Sequence, residues 1–447
     1  MDTQPELFAQ HYAEAGLTEK SVASWGKAGH YSTARSAMAE AAAQFQKALD
    51  QLALLPDTPK RQRQELEIWS ALGAVLLAVK GFAAPETGHA YARARELWEQ
   101  LGSPSESLYL RFGESAYYMI RGELDLKLSL DRDLLRLSRQ RNDFGGLVLG
   151  RLSAGQTLML IGRFAQSRSD LEQVAALYDP TSHGSLVHLA GMHPQVVSLG
   201  FLSLVLFCLG FPDQALAQGN AAIEEARKLA HPPSLALTLG CGNRLLSLIG
   251  DNSIFGELAH ELIAMATEQA FPYWHAQGTI FAGWRKVKTG DVVEGISLLR
   301  RGSTAFRATG AELWAPHHNA LLAAAFEITR QIEGAVTLLD DGLQIVERTG
   351  ERWLESELIR HKGQLLLRQG YSAAAEELYR DALIIAKEQE AKLWELRAAV
   401  GLARLRSDQD RRAEARDLLT PVYGWFTEGF DTPDLKEAKA LLDALDA

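Results

Sequence analysis

The chain has 447 residues, 47% of them hydrophobic and 23% charged, and a formal net charge of −10. That length exceeds what one small core organises, so the chain is either several domains or a repeat array. The acidic balance argues against a general polyanion binder, which needs clustered Lys and Arg, and two cysteines, Cys208 and Cys241, are too few for a disulfide framework or a four-thiolate metal site.

Met1 to Leu17 is polar and acidic, without the basic stretch and apolar run of a secretory signal. The greasiest stretch, Val196 to Leu209, is too short to span a bilayer. A reduced, cytoplasmic setting is therefore expected. Two loose helix pairs follow the N-terminus, one through Gly29, Ala41, Phe45 and Ala48, the other through Gly73, Gly81, Tyr91 and Ala94. From there a period emerges. Helix-turn signals fall at Gly122, Gly162, Gly210, Gly250, Gly290, Arg330, Gly370 and Asp410, in steps of 40 with one step of 48. Seven residues before them stand Ser115, Gly155, Ser203, Asn243, Gly283, Ala323, Gly363 and Ala403; five residues after stand Lys127, Ser167, Ala215, Phe255, Gly295, Ala335, Ala375 and Ala415. Small residues at both places let two antiparallel helices approach, with large ones such as Leu158, Leu206 and Leu366 filling the next gap.

The spacing predicts an all-α, right-handed superhelical solenoid of about ten antiparallel helix pairs. A looser region would cover 1–104, a regular solenoid 105–433 and a capping helix 434–447. The stripe Leu435, Ala438, Leu441, Leu442 and Leu445 on that last helix would cover the final repeat, or else serve as an oligomerisation surface.

The run Gly363, Leu366, Gly370, Ala375, Tyr379 and Ala382 resembles the tetratricopeptide repeat consensus, and the period of 40 resembles the longer-helix variants in bacterial regulatory ATPases of the maltose-activator type. Four further stretches, His11-Tyr-Ala-Glu-Ala-Gly-Leu-Thr-Glu-Lys20, Lys80-Gly-Phe-Ala-Ala-Pro85, Tyr91-Ala-Arg-Ala-Arg-Glu96 and Val422-Tyr-Gly-Trp-Phe-Thr-Glu-Gly-Phe-Asp-Thr-Pro433, are similar to the C-terminal region of bacterial proteins joining a class III adenylate/guanylate cyclase, a signalling ATPase and such repeats. This resemblance implies a sensor or scaffold portion of a bacterial signalling assembly. Gly26-Lys27 is followed by Ala28 and has no leading glycine, so the phosphate-cradling loop of an ATPase is missing, and no cyclase-like segment precedes it.

Catalytic candidates are few. His183, His188 and His193 with Asp179 occupy the one long step of the period and invite a zinc reading, a cryptic metal-dependent enzyme. Their spacing of five residues does not share a helical face, and Gly184, Gly191 and Pro194 favour an irregular surface loop. His317 and His318 read as a solvated helix start. Trp274, Trp314, Trp353 and Trp394 recur near the period and read as core. Asp340-Asp341 and Glu376-Glu377 diverge on their helices, and no nucleophile motif occurs, so no catalytic residue, metal or cofactor is assigned.

Function is then expected on the concave arc of the first helix of each pair, where a partner protein or peptide, acidic or amphipathic, would dock; nucleic acid and membrane are not expected partners. Offsets of −6, −3, +1, +4 and +5 from the small residue define that arc. Its basic part carries Arg244, Trp284, Lys288, His317, Arg360, Gln364, Arg368, Arg397 and Arg404; its apolar part carries Tyr109, Phe112, Met119, Leu152, Met159, Leu204 and Phe207. The alternative is a tightly wound superhelix that buries this face against itself.

Overall fold

The computed structural model describes all residues except 1–4, 36, 82–83, 103–109, 180–183, 185, 251–254 and 447; the side chains of residues 188, 189 and 255 are also not described. Among the described residues there is no strand. Ten antiparallel pairs follow one another: Thr18–Ala34 with Met38–Leu52, Pro59–Val79 with Pro85–Gln100, Leu110–Ile120 with Leu124–Arg141, Phe144–Leu160 with Phe164–Leu177, Pro194–Cys208 with Pro212–Leu229, Pro232–Ile249 with Phe255–Glu268, Pro272–Lys288 with Val292–Ala308, Ala315–Ile328 with Ile332–Thr349, Glu355–Arg368 with Ser372–Glu388, and Lys392–Asp408 with Arg412–Tyr423. Pro5–Glu14 precedes them, the short Leu186–Ala190 interrupts them, and Pro433–Asp446 follows. No described helix is long and apolar enough to cross a membrane.

All eight sequence turns have positive φ, from 60° at Arg330 and Asp410 to 95° at Gly290. This left-handed cap ends the first helix of those eight pairs, and glycine takes it without the clash a Cβ brings. The small residues work as their spacing implies. A Cβ on Gly283 would lie 2.8 Å from the amide nitrogen of Leu299 and 2.9 Å from the carbonyl oxygen of Gly295. The two backbones meet there with no room for a side chain.

Lys127 stands where most repeats carry a small residue, and the structure explains how. Its ammonium is fully buried, 3.3 Å from Asp131, and donates to the Ser115 and Ser153 hydroxyls at 3.0 and 2.8 Å. Ser115 and Thr157 in turn donate to Asp131. The polar set closes upon itself inside the hairpin stack, and each member depends on the others for its hydrogen bonds.

The superhelix then returns onto itself. The Ile120 carbonyl accepts from the amides of Glu312 (2.9 Å) and Leu313 (3.1 Å); one repeat on, the Leu160 carbonyl accepts from Arg352 (2.8 Å) and Trp353 (3.0 Å). At the far end, Glu428 accepts from the amides of Asp213 and Gln214, both at 3.0 Å. Trp314, Trp353 and Trp394 are buried in this junction. Trp314 packs edge-on against Trp353 and obliquely against Phe201, and Trp394 lies edge-on to Phe207. His317 and His318 are buried too, against Phe281, Trp353 and Phe306, which corrects their assignment to a solvated helix start. The start of their helix is clamped under the earlier coil by the Ile120 bonds, so water is excluded from it.

Glu351 sits in the same junction, fully buried, accepting from the Trp314 amide at 3.0 and 3.1 Å and from the Trp353 indole at 2.9 Å. Burial pushes its carboxyl up to about 7 against the pull of those donors and of Arg244. The folded state therefore holds a proton that the unfolded chain releases near pH 4.5.

Two stability predictions follow from these buried groups. Asp131→Ala alone should destabilise by about 3–5 kcal/mol because it strands Lys127, whereas Lys127→Met combined with Asp131→Leu should recover most of that loss; denaturant titration compares them. For Glu351, stability falls as pH rises from about 4.5 to about 7. The stability of Glu351→Gln relative to wild type should therefore rise by on the order of 3 kcal/mol across that window; denaturation midpoints at pH 4.5 and 7.5 measure it, and a pH-independent difference would refute the assignment.

Candidate partner-binding groove

The structure divides the concave arc in two. Phe112, Met119, Leu152, Met159, Leu204 and Phe207 are buried, and Tyr109 lies outside the described residues. The alternative reading applies to this half: its side chains meet a later coil rather than a free surface. Three residues of the basic part share that fate, since Arg244, Trp284 and His317 are buried, while Lys288 is exposed and rests over the Trp284 ring at 5.5 Å.

The remaining five, Arg360, Gln364, Arg368, Arg397 and Arg404, come together around one groove of about 500 Å3. The Glu355–Arg368 and Lys392–Asp408 helices supply its walls, Leu367, Tyr379, Leu396 and Val400 its apolar floor, and Asp434 and Glu437 of the last helix its far rim. Gly401 keeps that floor low, because a Cβ there would meet the Tyr379 ring at 2.8 Å.

The groove's charges fall into two layers. In the deep layer Arg360 grips Glu357 through two bonds of 2.7 and 3.0 Å and also reaches Gln364. Arg397 holds Asp434 at 2.7 and 2.9 Å, Glu357 at 3.2 Å and the Leu248 carbonyl at 2.6 Å. Burial alone would raise the Glu357 carboxyl, but Arg360 and Arg397 together hold it down at about 2. These groups position one another and leave little donor capacity for a ligand. At the rim, Arg368 pairs with Glu327 at 2.8 Å and Arg404 with Glu437 at 2.8 Å, each through one nitrogen, and their side chains are 54% and 51% exposed. Glu327 is only 11% exposed and is also held by His361 and Gln364, each at 2.8 Å, whereas the Arg404–Glu437 pair is half exposed on both sides and, like other exposed single-point pairs, contributes little.

Reasoning from the sequence identified these arginines but not Asp434 and Glu437. Their spacing of three on the last helix was the available signal, and only the packing of that helix brings them here. The histidine loop does not assemble a site in view: His183 lies outside the described residues, the side chain of His188 is not described, and His193 is buried, its ring 3.1 Å from the Tyr178 hydroxyl. Among the described residues no group of three His, Cys, Asp or Glu is arranged to hold a metal ion.

No protein-family profile matches the chain. An uncharacterized protein of Rhizobium meliloti (strain 1021) is 25% identical over 391 residues, which are 86% of this chain and 37% of that protein. The chain thus spans little more than a third of that relative's length. Among solved structures, Rap protein complexed with competence and sporulation factor superimposes with a TM-score of 0.55 at 13% identity, covering 83% of this chain and 99% of that one. The Cut9–Hcn1 assembly and the apo quorum sensor NprR of B. thuringiensis give TM-scores of 0.47 and 0.48 at 12% and 15% identity, covering 100% and 82% of this chain and 90% and 99% of theirs. The fold is that of a TPR-like helical-repeat solenoid.

Proposed function

We propose that this chain is a non-catalytic interaction scaffold whose partner inserts an acidic, amphipathic segment into the groove between Arg368 and Arg404. The observation that carries the reading is the rim itself: two half-exposed guanidinium groups on either side of an apolar floor, each engaged through one nitrogen, with an exposed counter-ion on Arg404. A carboxylate of the partner takes the place of Glu437 on Arg404 or joins Glu327 on Arg368, and its apolar residues lie on Leu367, Leu396 and Val400. The likeness to Rap protein, solved complexed with competence and sporulation factor, supports a binding role for a winding of this kind. The similarity of four stretches to cyclase–ATPase–TPR proteins, and a relative whose length is far greater than this chain, support its placement as the repeat portion, or a relative, of a bacterial cyclase/ATPase regulator.

The test uses a synthetic helical peptide with Glu and Leu at i, i+3 and i+4 spacing, followed by fluorescence anisotropy. Wild type should bind it, more weakly as salt rises. The double reversal Arg368→Glu, Arg404→Glu should weaken it by roughly tenfold or more while circular dichroism stays unchanged. Capture that ignores both the reversal and the salt would remove the proposal. Arg360 and Arg397 are left untouched because their loss would strand Glu357.

A further inference from the structure

Away from the basic groove, the interior of the winding holds a second space. An outer vestibule of about 500 Å3 lies between the N-terminal pairs and the segment around Gly191, walled chiefly by Phe45, Val75, Tyr91, Leu110 and Pro233. Beside it is a narrow chamber of about 40 Å3 walled by Phe112, Met119, Leu152, Phe201 and Trp274. The two adjoin. Ala78 and Leu77, Gly113 and Phe112, and Gly191 and Ala190 are chain neighbours of which one lines the vestibule and the other the chamber.

Among the residues lining the chamber, Arg244 alone is charged. It is 2% exposed, lies 3.7 Å over the Trp314 ring and donates one bond, of 3.0 Å, to the Gln277 side-chain oxygen. Its Nε has no acceptor, and the adjacent Gln277 amide nitrogen, also buried, has none either. Glu351, the acid that acts on it, is taken up by the Trp314 amide and the Trp353 indole. Burial lowers the pKa of Arg244, yet a guanidinium keeps its proton, so its charge remains in an almost wholly apolar chamber. An uncompensated buried cation is destabilising, and a guanidinium with an unfilled donor on the wall of an apolar chamber calls for an anionic acceptor such as a carboxylate.

We propose that the nested space binds an aliphatic monocarboxylate, its carboxylate on Arg244 and its hydrocarbon chain running out past Phe112 and Leu110 into the vestibule. The size of the chamber dictates that order. It admits a headgroup and little more, while the apolar vestibule takes the chain. The site shares no residue with the basic groove, so either can fail alone.

The experiment titrates the full chain with decanoate, read by calorimetry and by the fluorescence of Trp274 and Trp314. One decanoate per chain is expected. Decanol should bind at least about tenfold more weakly, having no charge for Arg244. Hexanoate, four methylenes shorter, should bind on the order of 100-fold more weakly. Arg244→Met should fold with an unchanged or higher Tm and no longer distinguish decanoate from decanol. Ala74→Phe, which fills the vestibule, should weaken decanoate by about tenfold or more. Arg368→Glu with Arg404→Glu should leave decanoate binding unaltered. Decanol binding as tightly as decanoate, several decanoates adsorbed per chain, or no binding at all would each overturn the proposal. These wild-type readings decide it even if a variant does not fold.

Discussion

The Ile120 and Leu160 carbonyls end their helices without an intrahelical donor, and each takes two amides from the segments that lead into helices a full coil later. Those bonds set how closely one coil lies on the next. Once that spacing is fixed, Trp314, Trp353 and Trp394 fill the seam, Phe201 and Phe207 pack against two of them, and the start of the His317 helix is shut away from water. The character of the inner surface, core in one place and groove in another, follows from this contact rather than from the repeat alone.

This explains what the sequence made legible. A turn that needs a left-handed residue is a local demand, and the eight positions spaced by 40 or 48 all meet it, even at Arg330 and Asp410 where no glycine marks them. Close approach within a hairpin is nearly as local, so Gly283 and Gly295 announce it. The concave arc was derived from the geometry of one helix pair, and it does bring Arg360, Gln364, Arg368, Arg397 and Arg404 to one place. Burial of that arc depends on the pitch of the winding, which no single repeat encodes. Arg244 and Arg404 therefore look equivalent in the sequence, although one is sealed inside and the other is half exposed.

The arginines of the inner arc show how burial sorts one residue type into different tasks. Arg397 is enclosed but meets Asp434, Glu357 and the Leu248 carbonyl, so the favourable interactions offset the loss of water and the group joins three parts of the chain. Arg404 keeps its hydration and gains little from Glu437, which leaves it free to exchange partners. Arg244 has neither water nor a directly bonded acid. Its ring contact with Trp314 supplies part of what is missing, and cation–π attraction strengthens where water is excluded.

Position along the winding then determines which task each receives. The Arg244 helix lies beneath the Trp314 seam, whereas the Lys392–Asp408 helix meets the earlier coil through Trp394 and Arg397, and beyond them the Pro433–Asp446 helix borders the groove. That helix buries Leu435, Ala438 and Leu445 against the last pair while its other face holds Asp434 and Glu437 toward the groove. Its apolar stripe fixes it in place, so Asp434 stays on Arg397 while Glu437, half exposed, faces Arg404. A fixed cap with one partly buried and one exposed counter-ion keeps the basic groove in shape and its charges satisfied without closing it.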